Sequence, residues 1–173
     1  MAGSLIKVSE DTVTSSQASV TLSGINSTYE VYVVTIEGCV PVTDSVFLTM
    51  RVTESGTPNT TSNYDISGQL LRSNAAYNNT SATNESSLFL LGQNTGTGAN
   101  EEVHLVNYIF GAASSSDFTY VTTENVFLDN SGVMNGLQGG GVFTSASAVD
   151  GVQYFFSSGN IASGTFKLYG LVK

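Results

Sequence analysis

The sequence predicts an all-β protein, folded as a two-sheet antiparallel β-sandwich. Two observations carry that expectation. Short runs of alternating apolar residues recur along the chain, separated by stretches rich in Ser, Thr, Asn and Gly. No segment of helical length repeats its apolar residues at i, i+3 and i+4, so helix should be confined to single turns.

The first expected strand, residues 4–8, is short and breaks at the acidic pair Glu10-Asp11. A second lies around Val20 and Leu22 and stops at Gly24; both read as edge or outer strands. Residues 29–36 are apolar on both faces, and residues 46–52 set Val46, Leu48, Met50 and Val52 on one face, so these two are the best central strands. Between them, residues 38–44 carry the Pro41 and Asp44 punctuation of a connection. Residues 54–68 read as a long polar loop, 69–72 as a brief apolar interruption, and 73–87 as a second polar loop. Loops of such length inside a compact domain tend to serve binding or assembly.

The uncharged run 88–91 gives a buried strand, 92–100 a turn region, and 102–110 a third strong strand. Residues 118–121 and 126–128 are short and β-prone. Residues 132–141 then hold five glycines in ten positions, which reads as a loop needing positive φ or as a place where backbone approaches a partner. Residues 142–143, 152–156 and 165–172 complete the pattern, the last with Phe166, Leu168, Gly170 and Val172 on one face. Roughly eight to ten short strands with polar connections suit jelly-roll connectivity with long polar loops, in a single domain spanning 1–173. Nothing recurs at a fixed period, which argues against a propeller or solenoid.

Composition narrows the function classes. Charged residues make up 11% of the chain, against about a quarter in ordinary soluble proteins, so uncharged polar groups must cover the surface. The net charge of -9 sets 14 acids against five scattered bases, Lys7, Arg51, Arg72, Lys167 and Lys173. Phosphate backbones and anionic lipid would be repelled, so neither nucleic acid nor membrane is expected as a partner. Cys39 stands alone, excluding an intrachain disulfide, and is expected as a small buried hydrophobe. Residues 1–7 have no apolar run of signal-peptide length and no window reaches a membrane span, so the expectation is a soluble chain made in a cytoplasm.

Chemistry-bearing residues are few. His104 is the only histidine, which excludes any triad or metal site that needs two, and a structural hydrogen bond is its expected role. Gly159-Asn160-Ile161-Ala162-Ser163-Gly164 shares only composition with a nucleophile elbow and reads as a hairpin turn. Gly96-Thr97-Gly98 lacks the third glycine of a dinucleotide fingerprint, and no phosphate loop ending is present. Glu101 and Glu102 point to opposite faces of a regular strand and cannot share a site. Asp129-Asn130-Ser131-Gly132 reads as a turn, with Asp150 a further lone carboxylate. Five Asn-x-Ser/Thr sequons, at Asn26, Asn59, Asn78, Asn79 and Asn84, follow by chance from a Ser- and Thr-rich chain. The default for Phe47, Phe89, Phe110, Phe155 and Phe166 is core packing. The expectation is a protein that is not an enzyme, with no catalytic, metal or cofactor-binding residue and no cofactor.

Exposed strands of monomeric β-proteins are guarded by Lys, Pro or bulges, and this chain has two Pro and three Lys. Its edges are therefore expected to be covered by neighbours, in a symmetric homo-oligomer docked on a larger assembly.

The opening Ser-Leu-Ile-Lys-Val, the stretch Ser62-Asn63-Tyr64-Asp65-Ile66-Ser67-Gly68 with Leu71-Arg72, and the ending from Phe156 to Gly170 resemble small structural proteins of tailed bacteriophages that infect marine bacteria and cyanobacteria. The ending is the most specific of the three. The resemblance implies a virion component: a capsid decoration (cement) protein, or a tail-associated one, with a jelly-roll sandwich and threefold assembly. It brings no catalytic residues. The expected function is a head-decoration homotrimer that binds the major capsid protein or another virion protein and stabilises the outer lattice. The alternative is a tail or fibre component that binds a host surface glycan through a solvent-facing Tyr cluster. Residues 54–68, 73–87 and 132–141 are the candidate contact regions.

Overall fold

The computed structural model describes residues 4–74 and 77–172; Lys173 and residues 1–3 and 75–76 of the stretches above lie outside the described residues. The described residues form thirteen strands: β1 (Leu5–Val13), β2 (Val20–Ser23), β3 (Val31–Pro41), β4 (Leu48–Glu54), β5 (Thr57–Pro58), β6 (Tyr64–Arg72), β7 (Tyr77–Glu85), β8 (Leu88–Phe89), β9 (Val103–Phe110), β10 (Thr119–Leu128), β11 (Met134–Phe143), β12 (Gly151–Phe156) and β13 (Ile161–Leu171). An eight-stranded antiparallel sheet runs β1-β13-β3-β9-β10-β11-β6-β7, and a smaller one runs β2-β12-β4-β5 with β8 also on β4. No helix occurs among the described residues.

The two sheets enclose one core because each contributes a row of large apolar side chains. Tyr32, Val34 and Ile36 of β3, Leu105 and Ile109 of β9, Phe143 of β11 and Phe166 and Leu168 of β13 are buried from the large sheet. Leu22, Leu48, Met50, Val52, Val152, Tyr154 and Phe156 meet them from the small one. The Tyr154 ring lies 6.0 Å from Phe166, and Tyr64 lies 5.0 Å from Phe143. Tyr64 Oη accepts from the Val52 amide at 3.2 Å and donates to the Asn59 carbonyl at 2.9 Å, which ties β6 to β4. Burial pushes its phenol up to about 12.

One polar contact crosses the centre of this core: Asn107 Nδ2 donates to Tyr154 Oη at 3.0 Å, with both residues fully buried. Tyr154→Phe is expected to cost about 1–2 kcal/mol, because the amide would keep its desolvation and retain only the weak Met50 Sδ acceptor at 3.7 Å. Adding Asn107→Leu should recover most of that loss, and urea unfolding of the single and double variants checks it.

The order and type of the strongest strands match the sequence expectation: β3 and β4 are interior strands, β1 and β2 are edges, and β9, β12 and β13 fall where alternation placed them. Four expectations are corrected. β1 continues through Glu10-Asp11, because an edge strand turns its acids to solvent while Glu10 sits opposite Lys167. β3 runs on through the expected connection to Pro41, absorbing Gly38 at φ 62° in a register shift. The two pieces at 118–121 and 126–128 are one strand, since Thr123 and Asn125 turn inward and Asn125 Nδ2 donates to the Leu90 carbonyl at 2.5 Å. Phe110 faces solvent, 37% exposed, where core packing was expected.

The polar stretches are the largest correction. Residues 54–68 hold β5 and the first half of β6, residues 73–87 hold β7, and 132–141 become most of β11. In β6, Tyr64, Ile66 and Leu70 are buried while Ser67 and Gln69 face out, so alternation is present but diluted by small polar residues. β7 buries no side chain fully and is held by backbone pairing to β6. Within β11 the glycines are extended, and only Gly132, in the preceding turn, has positive φ, at 75°.

Candidate interaction face

The large sheet buries one face against the small sheet and leaves the other uncovered by any described element. Strand pairing arranges that outer face in rows. One row reads Lys7, Tyr169, Val33, Tyr108, Thr122, Gly140, Ser67, Ser81 across all eight strands, and the next reads Glu10, Lys167, Thr35, Val106, Glu124, Gln138, Gln69, Asn79. A flanking row sets Phe110 directly opposite Tyr120, and Tyr120 opposite Val142. Chemistry therefore changes along the face, from charged at β1 and β13, through aromatic and aliphatic side chains interrupted by Glu124 at β9 and β10, to mainly amide and hydroxyl groups, with Asp65, at β6 and β7.

The centre is apolar and open. Tyr120 is 53% exposed and Val126 49%, with Tyr108, Phe110 and Leu71 exposed beside them. Cross-strand aromatic neighbours of this kind favour each other by about 0.2–1 kcal/mol, so the cluster helps align β9 with β10 even without a partner. Scattered apolar residues are ordinary on a surface, whereas a contiguous set on one sheet face marks an interaction site.

Two hollows indent the face, and both are floored by β11 glycines. The first, about 470 Å³, lies among Val106, Glu124, Val126, Gly136, Gln138 and Leu71. The second, about 520 Å³, lies among Tyr120, Thr122, Gly140, Val142, Ser67 and Ser81. Where β10 presents a side chain in every outward position, β11 presents hydrogens at Gly136 and Gly140, leaving a trough between its neighbours. The three regions expected as separate contact loops, 54–68, 73–87 and 132–141, thus supply three adjacent strands, β6, β7 and β11, and the wall and floor of the second hollow.

The lone chemical groups are held in structural contacts. His104 points out of β9; its Nδ1 accepts from the Gly38 amide at 3.4 Å and its Nε2 lies 3.3 Å from Glu102. Glu101 is turned away from Glu102 and accepts from the Gly98 amide at 2.7 Å. Asp150 accepts from Thr53 Oγ1 at 2.6 Å and from the Gly56 amide at 2.7 Å, closing the turn between β4 and β5. Asp129 is bound by Arg72 Nη2 at 2.7 Å and by the Ser131 and Val133 amides, the expected turn. The hairpin expected at 159–164 is corrected: Gly159-Asn160 lies in a turn that carries the chain from β12 in the small sheet to β13 in the large one, and residues 161–164 already belong to β13. Cys39 is fully buried and burial alone pushes its thiol up, which leaves it a small hydrophobe. Among the described residues no group of three or more His, Cys, Asp or Glu side chains is placed to hold a metal ion.

The aromatic face was hidden in the sequence because β9 is apolar on both sides, a pattern that reads as burial on both sides. The signal that marks it is the composition of the outward set, His104, Val106, Tyr108 and Phe110, in which two of four side chains carry polar atoms. No protein-family model, no curated protein and no solved structure matches this chain.

Proposed function

We propose that the protein is a bacteriophage virion structural protein, a head-decoration protein that binds the outer capsid lattice through the uncovered face of its large sheet. The observation that carries this is the contiguous, partly exposed Tyr108, Phe110 and Tyr120 cluster, set in a face that nothing in the described chain covers. Size supports it. Eight strands at about 4.8 Å spacing span roughly 34 Å, and four outward rows at about 6.8 Å add roughly 20 Å, giving roughly 700 Å². A standard interface takes about 800 Å² from each partner. One sheet face is therefore enough for a specific contact, and repetition over the lattice makes moderate contacts persistent through multivalency.

The fold proposed with it is a jelly roll enlarged on one side. In that connectivity the first strand lies beside the last and the second beside the last but one, on opposite sheets. β1 beside β13 and β2 beside β12 support it, as do β3 on the other side of β13 and β4 on the other side of β12. The protein acts without catalysis or cofactor, as a homo-oligomer in the threefold arrangement that the phage resemblance implies.

Tyr120→Ser combined with Phe110→Ser is expected to lower occupancy on purified heads at least about tenfold, with thermal unfolding shifted only slightly, because both side chains are already half in water. Cryo-EM of intact virions with each form reads this directly: regular density over the head that disappears with the variant is the expected result, and undiminished density overturns the reading.

A second reading, host-glycan binding at the tail, is favoured by one observation: Tyr120 borders a hollow that carries the uncharged hydroxyls of Thr122, Ser67, Ser81 and Thr83 beside Asp65. Density confined to the tail, with saturable sugar binding lost on Tyr120→Ser, would favour it over decoration.

A further inference from the structure

The first hollow of the outer face combines an apolar lining with a carboxylate that nothing neutralises. Val106, Val126 and Leu71 line it, and Glu124 stands among them, directly opposite Val106 on one side and Gln138 on the other. Among the described residues the exposed Glu124 side chain makes no hydrogen bond and no ion pair. The other acids near the hollow are engaged: Glu37 lies 3.8 Å from Lys167 Nζ, and Glu102 lies 3.3 Å from His104 Nε2. Lys167 shares the row of Glu124 but stands three strands away, roughly 14 Å at about 4.8 Å per strand. Exposed charges at that separation are largely screened in physiological salt, where the Debye length is about 8 Å. Past His104 and Val126 the hollow continues into a smaller one of about 170 Å³, which reaches Glu102 and the exposed Met134.

We propose that this hollow receives an arginine side chain of a protein partner, with the aliphatic stem on Val106, Val126 and Leu71 and the guanidinium on Glu124. Charge complementarity selects the occupant. A neutral or acidic segment laid over the hollow would leave Glu124 desolvated and unpaired, whereas a basic one gives it charge-assisted hydrogen bonds. Arginine suits the site better than lysine, because two parallel N–H donors meet both oxygens of one carboxylate and a guanidinium gives up its hydration more readily than an ammonium. A second copy of this chain does not supply the group. Its described bases are already engaged, Lys7 by Glu10, Arg72 by Asp129, Lys167 by Glu37, and Arg51 by the Phe155 ring and the Ser86 carbonyl. Two chains of net charge -9 also repel each other.

This inference rests on the proposed function and deepens it, naming what the partner presents: a basic side chain roughly 14 Å from the group that meets Tyr120, which lies four residues along β10 from Glu124 at about 3.4 Å each. NMR titration of the purified, isotope-labelled full chain tests it with n-butylguanidinium as the probe. The controls are n-butylurea, its neutral counterpart, and n-butyltrimethylammonium, a cation without N–H donors. The guanidinium is expected to shift the Val106, Val126 and Leu71 signals saturably, and to bind at least about threefold more tightly than either control. Glu124→Gln, an exposed change of equal size, should weaken it by a similar factor, and Glu10→Gln, at the β1 end of the same row, should not. Shifts that do not saturate, equal binding of the urea, or unchanged affinity in Glu124→Gln would each overturn it. So would tighter binding of the trimethylammonium, which would point to a choline headgroup instead. No virion takes part, so failure here leaves head occupancy to judge decoration, and absence of the protein from heads leaves the preference of the hollow for a guanidinium standing.

Discussion

Asp129→Ala is expected to destabilise the protein by about 3–5 kcal/mol, because it breaks a buried ion pair and leaves the Arg72 guanidinium without its counter-charge. Asp129 is 1% and Arg72 15% exposed at the side chain, far from the screened surface pairs that contribute little. The same carboxylate accepts from the Ser131 amide at 2.9 Å and the Val133 amide at 3.0 Å, so it joins the end of β6 to the turn between β10 and β11. Burial opposes its ionisation, but the Val133 amide, the Asn135 side chain, the Ser131 amide and Arg72 outweigh that and hold it below the ordinary carboxylate range. A carboxyl held low when folded contributes stability that is complete above the unfolded value of about 3.9 and is lost as pH falls through the folded one. Urea midpoints measured from neutral to acid pH should therefore fall in the wild type and fall less steeply in Asp129→Asn. An unchanged acid limb in Asp129→Asn would show that other carboxylates carry it.

The second large effect is expected at Gly139, where alanine should cost about 3 kcal/mol and loosen β6 and β7 from the rest of the sheet. A Cβ built there would lie 2.5 Å from the Ser67 carbonyl oxygen and 2.7 Å from Gly68 Cα. Both are backbone atoms of the paired strand, with Gly68 directly opposite Gly139, so relief requires the strands themselves to part. Gly132 is the control: it has positive φ but nothing within 4 Å of a built Cβ, so alanine there should cost about 1–2 kcal/mol from the left-handed backbone alone. Hydrogen exchange distinguishes the two, with β6 and β7 amides losing protection in Gly139→Ala and keeping it in Gly132→Ala.

These two sites mark where the sequence could and could not be read. Asp129 announces a turn locally, through Asp-Asn-Ser-Gly, but its partner Arg72 is 57 positions away and nothing in either neighbourhood names the other. The glycines at 139–141 look like a loop because flexible loops and close backbone approach favour the same residue. The candidate face divides the same way. The strand at 102–110 is legible, but because both of its sides carry apolar residues, which one is outward depends on which side β12 and β4 cover.

From sequence alone the protein is all-β, its strongest strands are read at 29–36, 46–52 and 102–110, and Cys39 and His104 read as structural, because alternation, β-branched runs and scarcity of reactive groups are local properties. Tertiary structure decided that β6, β7 and β11 are strands. Each is too polar or too glycine-rich to nucleate a sheet, and each is extended because a neighbouring strand satisfies its backbone. It also decided that the outer face is uncovered: the small sheet spans fewer strands than the large one and lies on only one side of it, a fact of pairing order that no single segment carries.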